Sequence, residues 1–286
     1  MHLCGSFPFG GVIWIMRSIY KTGFNQGNLC KICIIGVTMR QIARIDIKNE
    51  WAIKGINLEG LRKVGNPNEL AKRYYQDGIH EIVFMDAVAS LYDRNNLFDV
   101  IERASQNVFV PIALGGGIRT LNDVSKALDA GADKVVVNTA AVRNIGFIGE
   151  IARKFGSQCI IGSIEAKKTD SAWEAYIENG REPTGLDVVE WALQMETAGI
   201  GELLVTSIDQ EGTKRGFDIP LITALQKAVN CPIIVSGGYG KTAHLDALLQ
   251  VTVPSGVAYA SALHYNLQSV SEIKLASDTL EAKHGA

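Results

Sequence analysis

The chain has 286 residues, of which 47% are hydrophobic and 20% charged, and its formal net charge at pH 7 is −2. This composition is typical of a globular protein with a large apolar core, and the slightly acidic balance argues against a nucleic-acid-binding surface. No stretch contains the roughly 18 uninterrupted apolar residues that a membrane-spanning helix needs. The five cysteines are odd in number and scattered, which favours a reducing cytoplasm over a disulfide-stabilised secreted protein.

Residues 1–38 differ from the rest of the chain, because they have no clear hydrophobic period. A proline and two glycines interrupt their apolar stretch, and the basic residues follow it, unlike a secretory signal. Cys30-Lys-Ile-Cys33 lacks the second Cys or His pair of a zinc site, so we predict no metal. We predict that 1–38 is an extension outside the fold, that Met39 is the true start, and that 39–286 forms one domain.

From residue 39 onwards, short apolar strands alternate with helical patterns. The strands are rich in Val, Ile, Leu or Ala, as expected when both faces are covered. The predicted strands are 42–46, 81–86, 110–115, 134–138, 159–165, 202–209, 232–236 and 256–260. The predicted helices include 66–76, 121–130, 144–155, 184–197 and 220–229. Eight alternations predict an α/β fold, a (β/α)8 TIM barrel. The alternative, a doubly wound sheet, requires a Gly-x-Gly-x-x-Gly after its first strand, and the sequence has no such motif there.

The strand ends repeat at a half-chain offset. Asp46 and Glu165 lie 119 positions apart, and Gly116 and Gly237 lie 121 apart. Two further pairs, each 123 positions apart, are Asp86 with Asp209 and Asn138 with Ser261. One nearly fixed offset predicts the internal duplication of a half-barrel.

The strand ends also predict the catalytic groups, because active sites of this fold lie at the carboxyl ends of the strands. Asp46 and Glu165 then face each other as a general acid and a general base on opposite sides of one substrate. The alternative interpretation is that each carboxylate caps a helix or pairs with Lys54 or Lys167.

Glycine runs between a strand and a helix predict two phosphate sites, since they expose backbone N–H groups to an anion. Their residues are Gly116 and Gly117, then Gly237 and Gly238, with further donors at Asn138, Thr139, Ala260 and Ser261. Two such sites imply a long substrate with a phosphate at each end. The alternative is that the glycines only form tight turns.

From about Met39 to about Leu275 the chain resembles the cyclase subunit of imidazole glycerol phosphate synthase, in the family of histidine-biosynthetic barrels. The motifs that carry the resemblance are Asp46-Ile-Lys, Ile53-Lys-Gly55, Gly115-Gly-Gly-Ile118, Ala132-Asp-Lys134, Asn138-Thr-Ala-Ala141, Phe155-Gly-Ser-Gln-Cys159, Gly180-Arg181, Thr184-Gly185, Thr206-Ser-Ile-Asp209, Gly212-Thr213 and Ser236-Gly-Gly238. The resemblance implies a phosphate-binding barrel. It also implies a reaction in which ammonia from a glutaminase subunit converts a ribulosyl-formimino-carboxamide ribonucleotide into imidazole glycerol phosphate and an aminoimidazole carboxamide ribonucleotide.

The resemblance also implies residue roles. Asp46 matches the catalytic aspartate, and Lys54 the lysine that assists substrate binding; no cofactor is implied. Glu211, Gly212 and Thr213 match a substrate-binding turn. Four residues match a ring of alternating charges through which ammonia enters, and a fifth matches a contact with the glutaminase. These are Arg40, Glu81, Lys134 and Glu202, with Asp133 at the contact. The ring has an alternative interpretation as a salt-bridge layer that closes the barrel.

The chain departs from the family at the substrate end. Glu165 and Glu211 stand where the family has aspartate, Arg44 where it has cysteine, and Lys48-Asn-Glu50 where it has Lys-Asp-Gly. Two alternatives therefore stay open. One is a second-copy paralogue that delivers ammonia to a sugar-amidating enzyme of surface-glycan synthesis, which the segments 44–48 and 88–92 resemble. The other is a phosphate-binding aminoaldose isomerase, which would have no use for the charge ring.

Overall fold

The structure is a computed structural model that describes residues 39–87 and 97–284. Residues 1–38 with Cys30 and Cys33, and the segment 88–92, lie outside the described residues. The strands are β1 (Arg40–Lys48), β2 (Trp51–Ile56), β3 (Glu59–Gly65), β4 (Glu81–Asp86), β5 (Ile112–Gly115), β6 (Lys134–Val137), β7 (Ile160–Lys168), β8 (Trp173–Ile177), β9 (Glu182–Asp187), β10 (Glu202–Ser207), β11 (Ile233–Ser236) and β12 (Gly256–Tyr259).

The helices alternate with the strands and lie outside them. They are α1 (Pro67–Gln76), α2 (Leu97–Ser105), α3 (Leu121–Asp129), α4 (Thr139–Arg143), α5 (Gly146–Phe155), α6 (Val188–Ala198), α7 (Ile219–Ala228), α8 (Thr242–Leu249), α9 (Ser261–His264) and α10 (Val270–His284). A short 3-10 turn, Ser157–Cys159, precedes β7. In the described part of the chain no helix is long and apolar enough to cross a membrane.

Eight parallel strands close into a barrel in the order β1, β4, β5, β6, β7, β10, β11 and β12. The closure is made by β12 against β1, where Gly256 pairs with Arg40 and Tyr259 with Ala43. The predicted (β/α)8 TIM barrel is confirmed. All eight predicted strands are present, with ends displaced by at most three residues.

Two antiparallel hairpins were not predicted. β2 and β3 follow β1, and β8 and β9 follow β7, so the same addition occurs once in each half of the barrel. One predicted helix is wrong at its start: residues 184–187 belong to β9, and α6 begins at Val188. Asp187 caps that helix, because its Oδ1 accepts a hydrogen bond of 2.8 Å from the N–H of Val189.

The barrel interior is filled by one apolar layer to which each of the eight barrel strands contributes one side chain. The layer consists of Ile42, Val83, Ala113, Val136, Ile161, Leu204, Ile234 and Ala258. Side chains alternate between the two faces of a strand, so residues two positions before or after these also point into the barrel. Arg40, Glu81, Lys134 and Glu202 occupy such positions at one end of the interior, and Arg44, Thr206 and Ser236 occupy them at the other end, where the candidate site lies.

Candidate active site

Four charged side chains meet at the carboxyl end of the barrel. Lys54, on β2, donates to Asp46 Oδ2 at 2.8 Å and pairs with Glu211, which lies in the loop after β10. Arg44 donates through Nε to Asp46 Oδ1 at 2.8 Å. All four side chains are buried. The structure therefore brings the predicted residues Asp46, Lys54 and Glu211 together, and adds Arg44, to which the sequence had assigned no role.

The four charges stabilise one another in their ionised forms. Burial acts to raise the pKa of Asp46, but the attraction of Arg44 and Lys54 outweighs it and holds that pKa well below its usual range. Burial likewise acts to lower the pKa of Lys54, and Asp46 and Glu211 raise it above its usual value. Two cations and two anions make the cluster neutral.

Glu165, at the end of β7, has different surroundings. Its Oε2 accepts hydrogen bonds from the backbone N–H of Gly180 at 2.8 Å and from Asn138 Nδ2 at 3.3 Å. Burial raises the pKa of Glu165 to about 7, and the more distant charge of Arg44 only partly opposes this effect. The alternative pairing with Lys167 does not occur, since the Lys167 ammonium lies over the Tyr176 ring instead.

A cavity of about 660 Å³ lies beside Glu165, within the size range of small-molecule sites. Four more of the predicted site residues line it: Gly116, Gly117, Asn138 and Thr139. Gly116 has a φ of +91°, and a Cβ there would lie 2.6 Å from the carbonyl oxygen of Asp86, so the chain needs glycine at this position.

The second predicted phosphate site is less open. Gly237 and Gly238 are buried beneath the loop after β10, where the N–H of Gly216 donates to the carbonyl of Gly238 at 2.8 Å. A Cβ at Gly237 would lie 3.3 Å from the carboxylate of Glu211. The remaining residues predicted for this side are Gly212, Thr213, Ala260 and Ser261. None of the six belongs to the lining of the cavity.

The opposite end of the barrel carries the predicted charge ring. Arg40 contacts Glu81 at 2.6 Å and Glu202 at 3.0 Å. Lys134 contacts Glu81 at 3.0 Å and Glu202 at 3.1 Å, so the four side chains form a closed alternating square. Burial raises the pKa of Glu81 although both cations oppose it. Beside the ring, Asp133 accepts a hydrogen bond of 2.8 Å from the N–H of Ile112.

Several residues near the site were missed by the sequence analysis. Asn179 and Arg143 line the cavity, and Arg143 pairs with Glu178 at 3.2 Å. His264 is buried, contacts the Tyr74 hydroxyl at 2.7 Å, and has a pKa that burial lowers to about 3. Two motifs of the resemblance, Gly180-Arg181 and Thr184-Gly185, lie on the β8–β9 hairpin, and Gly180 contacts Glu165. Among residues 39–87 and 97–284, no group of three or more His, Cys, Asp or Glu could hold a metal ion.

The chain is similar to proteins of histidine biosynthesis. A family model described as histidine biosynthesis protein matches residues 40–269. The imidazole glycerol phosphate synthase subunit HisF of Legionella pneumophila is 55% identical over 204 residues, which are 71% of this chain and 96% of that protein. The chain belongs to the HisF family.

Other HisF subunits agree with this placement. Those of Hydrogenobaculum sp. and Pyrococcus furiosus are 48% and 46% identical over 236 residues each, or 82% of this chain and 94% of theirs. The resemblance predicted from the strand-end motifs is thereby confirmed, and so is the placement in histidine biosynthesis.

Proposed function

We propose that the chain is an enzyme, the cyclase (lyase) subunit of an imidazole glycerol phosphate synthase. In this reaction ammonia converts a ribulosyl-formimino-carboxamide ribonucleotide into imidazole glycerol phosphate and an aminoimidazole carboxamide ribonucleotide. The observation that carries the proposal is the pair of buried carboxylates, Asp46 and Glu165, at one mouth of a barrel that is 42–55% identical to HisF subunits. No cofactor takes part.

The two carboxylates are the catalytic groups of this reaction, and Lys54 helps to bind substrate through its contact with Asp46. The cavity beside Gly116 and Gly117 accepts one phosphate of the substrate, with Asn138 and Thr139 as further donors. The second phosphate lies on the side of Gly237 and Gly238. Because the loop after β10 covers those glycines, binding there requires the loop to move.

The partner is a glutaminase subunit that binds the other end of the barrel and forms a heterodimer with this chain. Ammonia enters past the square formed by Arg40, Glu81, Lys134 and Glu202, and Asp133 lies at the contact. The alternation of two cations and two anions at one end of the barrel supports this role. The odd, scattered cysteines support a cytoplasmic location.

A second candidate is the paralogue that delivers ammonia to a separate sugar-amidating enzyme. The observation that favours it is Arg44, which occupies one oxygen of Asp46 at the substrate end while the charge ring remains intact. The aminoaldose isomerase is less well supported, because an enzyme without a glutaminase has no use for that ring.

Turnover of the ribulosyl ribonucleotide by the purified chain, with ammonium salt and no partner, tests the proposal. We expect turnover that is lost in Asp46→Asn and retained in Asp278→Asn, the same change at an exposed position of α10. Binding of substrate without turnover would favour the ammonia-delivering paralogue. A turnover rate indifferent to Asp46→Asn would contradict the catalytic role of that residue.

A further inference from the structure

Arg44 lies inside the barrel, directly below the carboxylates of the mouth. Ile42 belongs to the apolar interior layer, and side chains two positions apart share a face, so Arg44 and Asp46 also point inward. The guanidinium extends from β1 to β10, where Nη1 donates to Thr206 Oγ1 at 2.7 Å. With only 2% of its side chain exposed, Arg44 is held in one place by hydrogen-bond acceptors on two strands of the barrel, Asp46 on β1 and Thr206 on β10.

The contacts of Arg44 determine how Asp46 can behave. Each Asp46 oxygen accepts a hydrogen bond from a cation, Oδ1 from Arg44 and Oδ2 from Lys54, both at 2.8 Å. A proton on Asp46 would have to compete with these cations, and an arginine side chain keeps its charge throughout the accessible pH range. Asp46 is therefore locked as a carboxylate.

Glu165 shares the mouth but none of these cation contacts. Its hydrogen-bond donors, the N–H of Gly180 and the amide of Asn138, are neutral. The two cations of the site, Arg44 and Lys54, form their ion pairs with Asp46 and Glu211. Burial without a paired cation favours the protonated form, and both forms of a group with a pKa of about 7 are populated near neutral pH.

We propose that Arg44 is a positioning residue that fixes Asp46 as a permanent anion and thereby leaves proton transfer to Glu165 alone. The inference rests on the proposed cyclase function and divides the roles within its site. Asp46 orients and neutralises cationic groups, including Lys54, while Glu165 gives a proton to the substrate and takes one back within each turnover. Asp46 and Glu165 then have different roles, although they occupy equivalent positions in the two halves of the barrel.

The pH dependence of ammonia-driven turnover tests this assignment in four variants. We expect kcat/KM of the unaltered chain to depend on one group that titrates near neutral pH, and Glu165→Gln to abolish turnover. Arg44→Gln should lower kcat by about 100-fold with little change in KM, because Asp46 loses its anchor. In Arg44→Gln the pH dependence of kcat/KM should also show a second ionisation, that of Asp46. Arg44→Lys should restore the single titration, and Arg103→Gln on α2 should behave as the unaltered chain.

Carbon-13 NMR of the carboxyl groups gives a second measurement that does not depend on turnover. In the free protein, the signal lost in Glu165→Gln should titrate near neutral pH. The signal lost in Asp46→Asn should stay ionised down to about pH 4 and begin to titrate in Arg44→Gln. An Asp46 that titrates near neutral pH in the unaltered chain would overturn the inference. Absence of turnover together with the expected NMR titrations would instead contradict the cyclase function and leave the Arg44 assignment standing.

Discussion

The side chain of Glu165 is one methylene group longer than that of aspartate, and its hydrogen bonds depend on this length. The resemblance implies an aspartate at this position, yet here the longer side chain reaches Gly180 of the β8–β9 hairpin and Asn138 of the neighbouring strand end. A shorter side chain would withdraw the carboxyl from both donors by about 1 Å, and misplacement on that scale lowers rates by about 100-fold. The surroundings of this chain are therefore fitted to glutamate.

The first prediction at the residue scale concerns that fit. Glu165→Asp should lower kcat/KM for ammonia-dependent turnover by about 100-fold, because the carboxyl no longer reaches its two donors. Glu102→Asp, the same change at an exposed position of α2, should leave kcat/KM unchanged. Equal or higher activity of Glu165→Asp would mean that the site retains the aspartate geometry of the family.

A second prediction follows from the raised pKa of Glu165. The folded protein holds this proton up to a pKa of about 7, whereas the unfolded chain releases it near 4.5. The buried carboxyl therefore destabilises the fold increasingly as pH rises from about 4.5 to about 7. Glu165→Gln should raise the free energy of unfolding by about 3 kcal/mol at pH 8 and by less than about 1 kcal/mol at pH 5. Urea denaturation at both pH values measures this, and an equal effect at both would contradict the assigned pKa.

At the element scale, the strands of the barrel could be predicted and the hairpins could not. Barrel strands such as 81–86 are short apolar runs, because helices and interior side chains cover both faces. β2 and β3 have no such runs, since the hairpin pairs only along β1 and much of it is exposed: Ile56 is 60% exposed, and β3 carries Glu59, Arg62 and Lys63. Their alternation is too weak to distinguish them from a loop.

The prediction at the element scale concerns the hairpin of β8 and β9. Gly180 has a φ of +75°, and a Cβ there would lie 2.7 Å from Leu58 Cδ1. Gly180→Ala should lower activity at least 10-fold and the free energy of unfolding by about 2 kcal/mol, because the N–H that binds Glu165 must shift. Gly185→Ala is the matched control: its φ is +73°, but no atom lies within 4 Å of the added Cβ.

Comparing Gly180→Ala with Gly185→Ala separates the effect of backbone strain from the effect of moving the N–H that binds Glu165. Both carry the cost of a left-handed backbone, which is about 1 kcal/mol for alanine. Only Gly180→Ala should affect turnover and the neutral-range titration of Glu165. Equal losses of activity in the two variants would show that the hairpin acts through stability alone.

At the scale of the whole molecule, the half-chain offset predicted which residues share an end of the barrel. Asp46 and Glu165 could be placed at this end of the barrel because each ends a predicted strand, whereas the place of Lys54 came only from the resemblance. The contact of Arg44 with Thr206 could not be predicted, since it joins strands 162 positions apart and depends on how the barrel closes. The closing of the loop after β10 over Gly238 is likewise a tertiary contact with no local signal.

The charge ring at the other end of the barrel supplies the last prediction. Lys134 bonds both acids of the ring, and Glu81 is almost fully buried, so Lys134→Met leaves that carboxylate with Arg40 as its only cation in the ring. We expect the free energy of unfolding to fall by about 3 kcal/mol, as for a broken buried ion pair. Lys126→Met, at an exposed position of α3, should have little effect.

The same variant distinguishes an entry for ammonia from a purely structural layer. In the complex with the glutaminase subunit, Lys134→Met should reduce glutamine-dependent turnover by at least 10-fold more than turnover driven by added ammonium salt. Under the proposed function, ammonium added to the solution reaches the substrate end directly, whereas ammonia released by the partner passes the ring. A proportional loss of both activities would mean that the four charges only close the barrel.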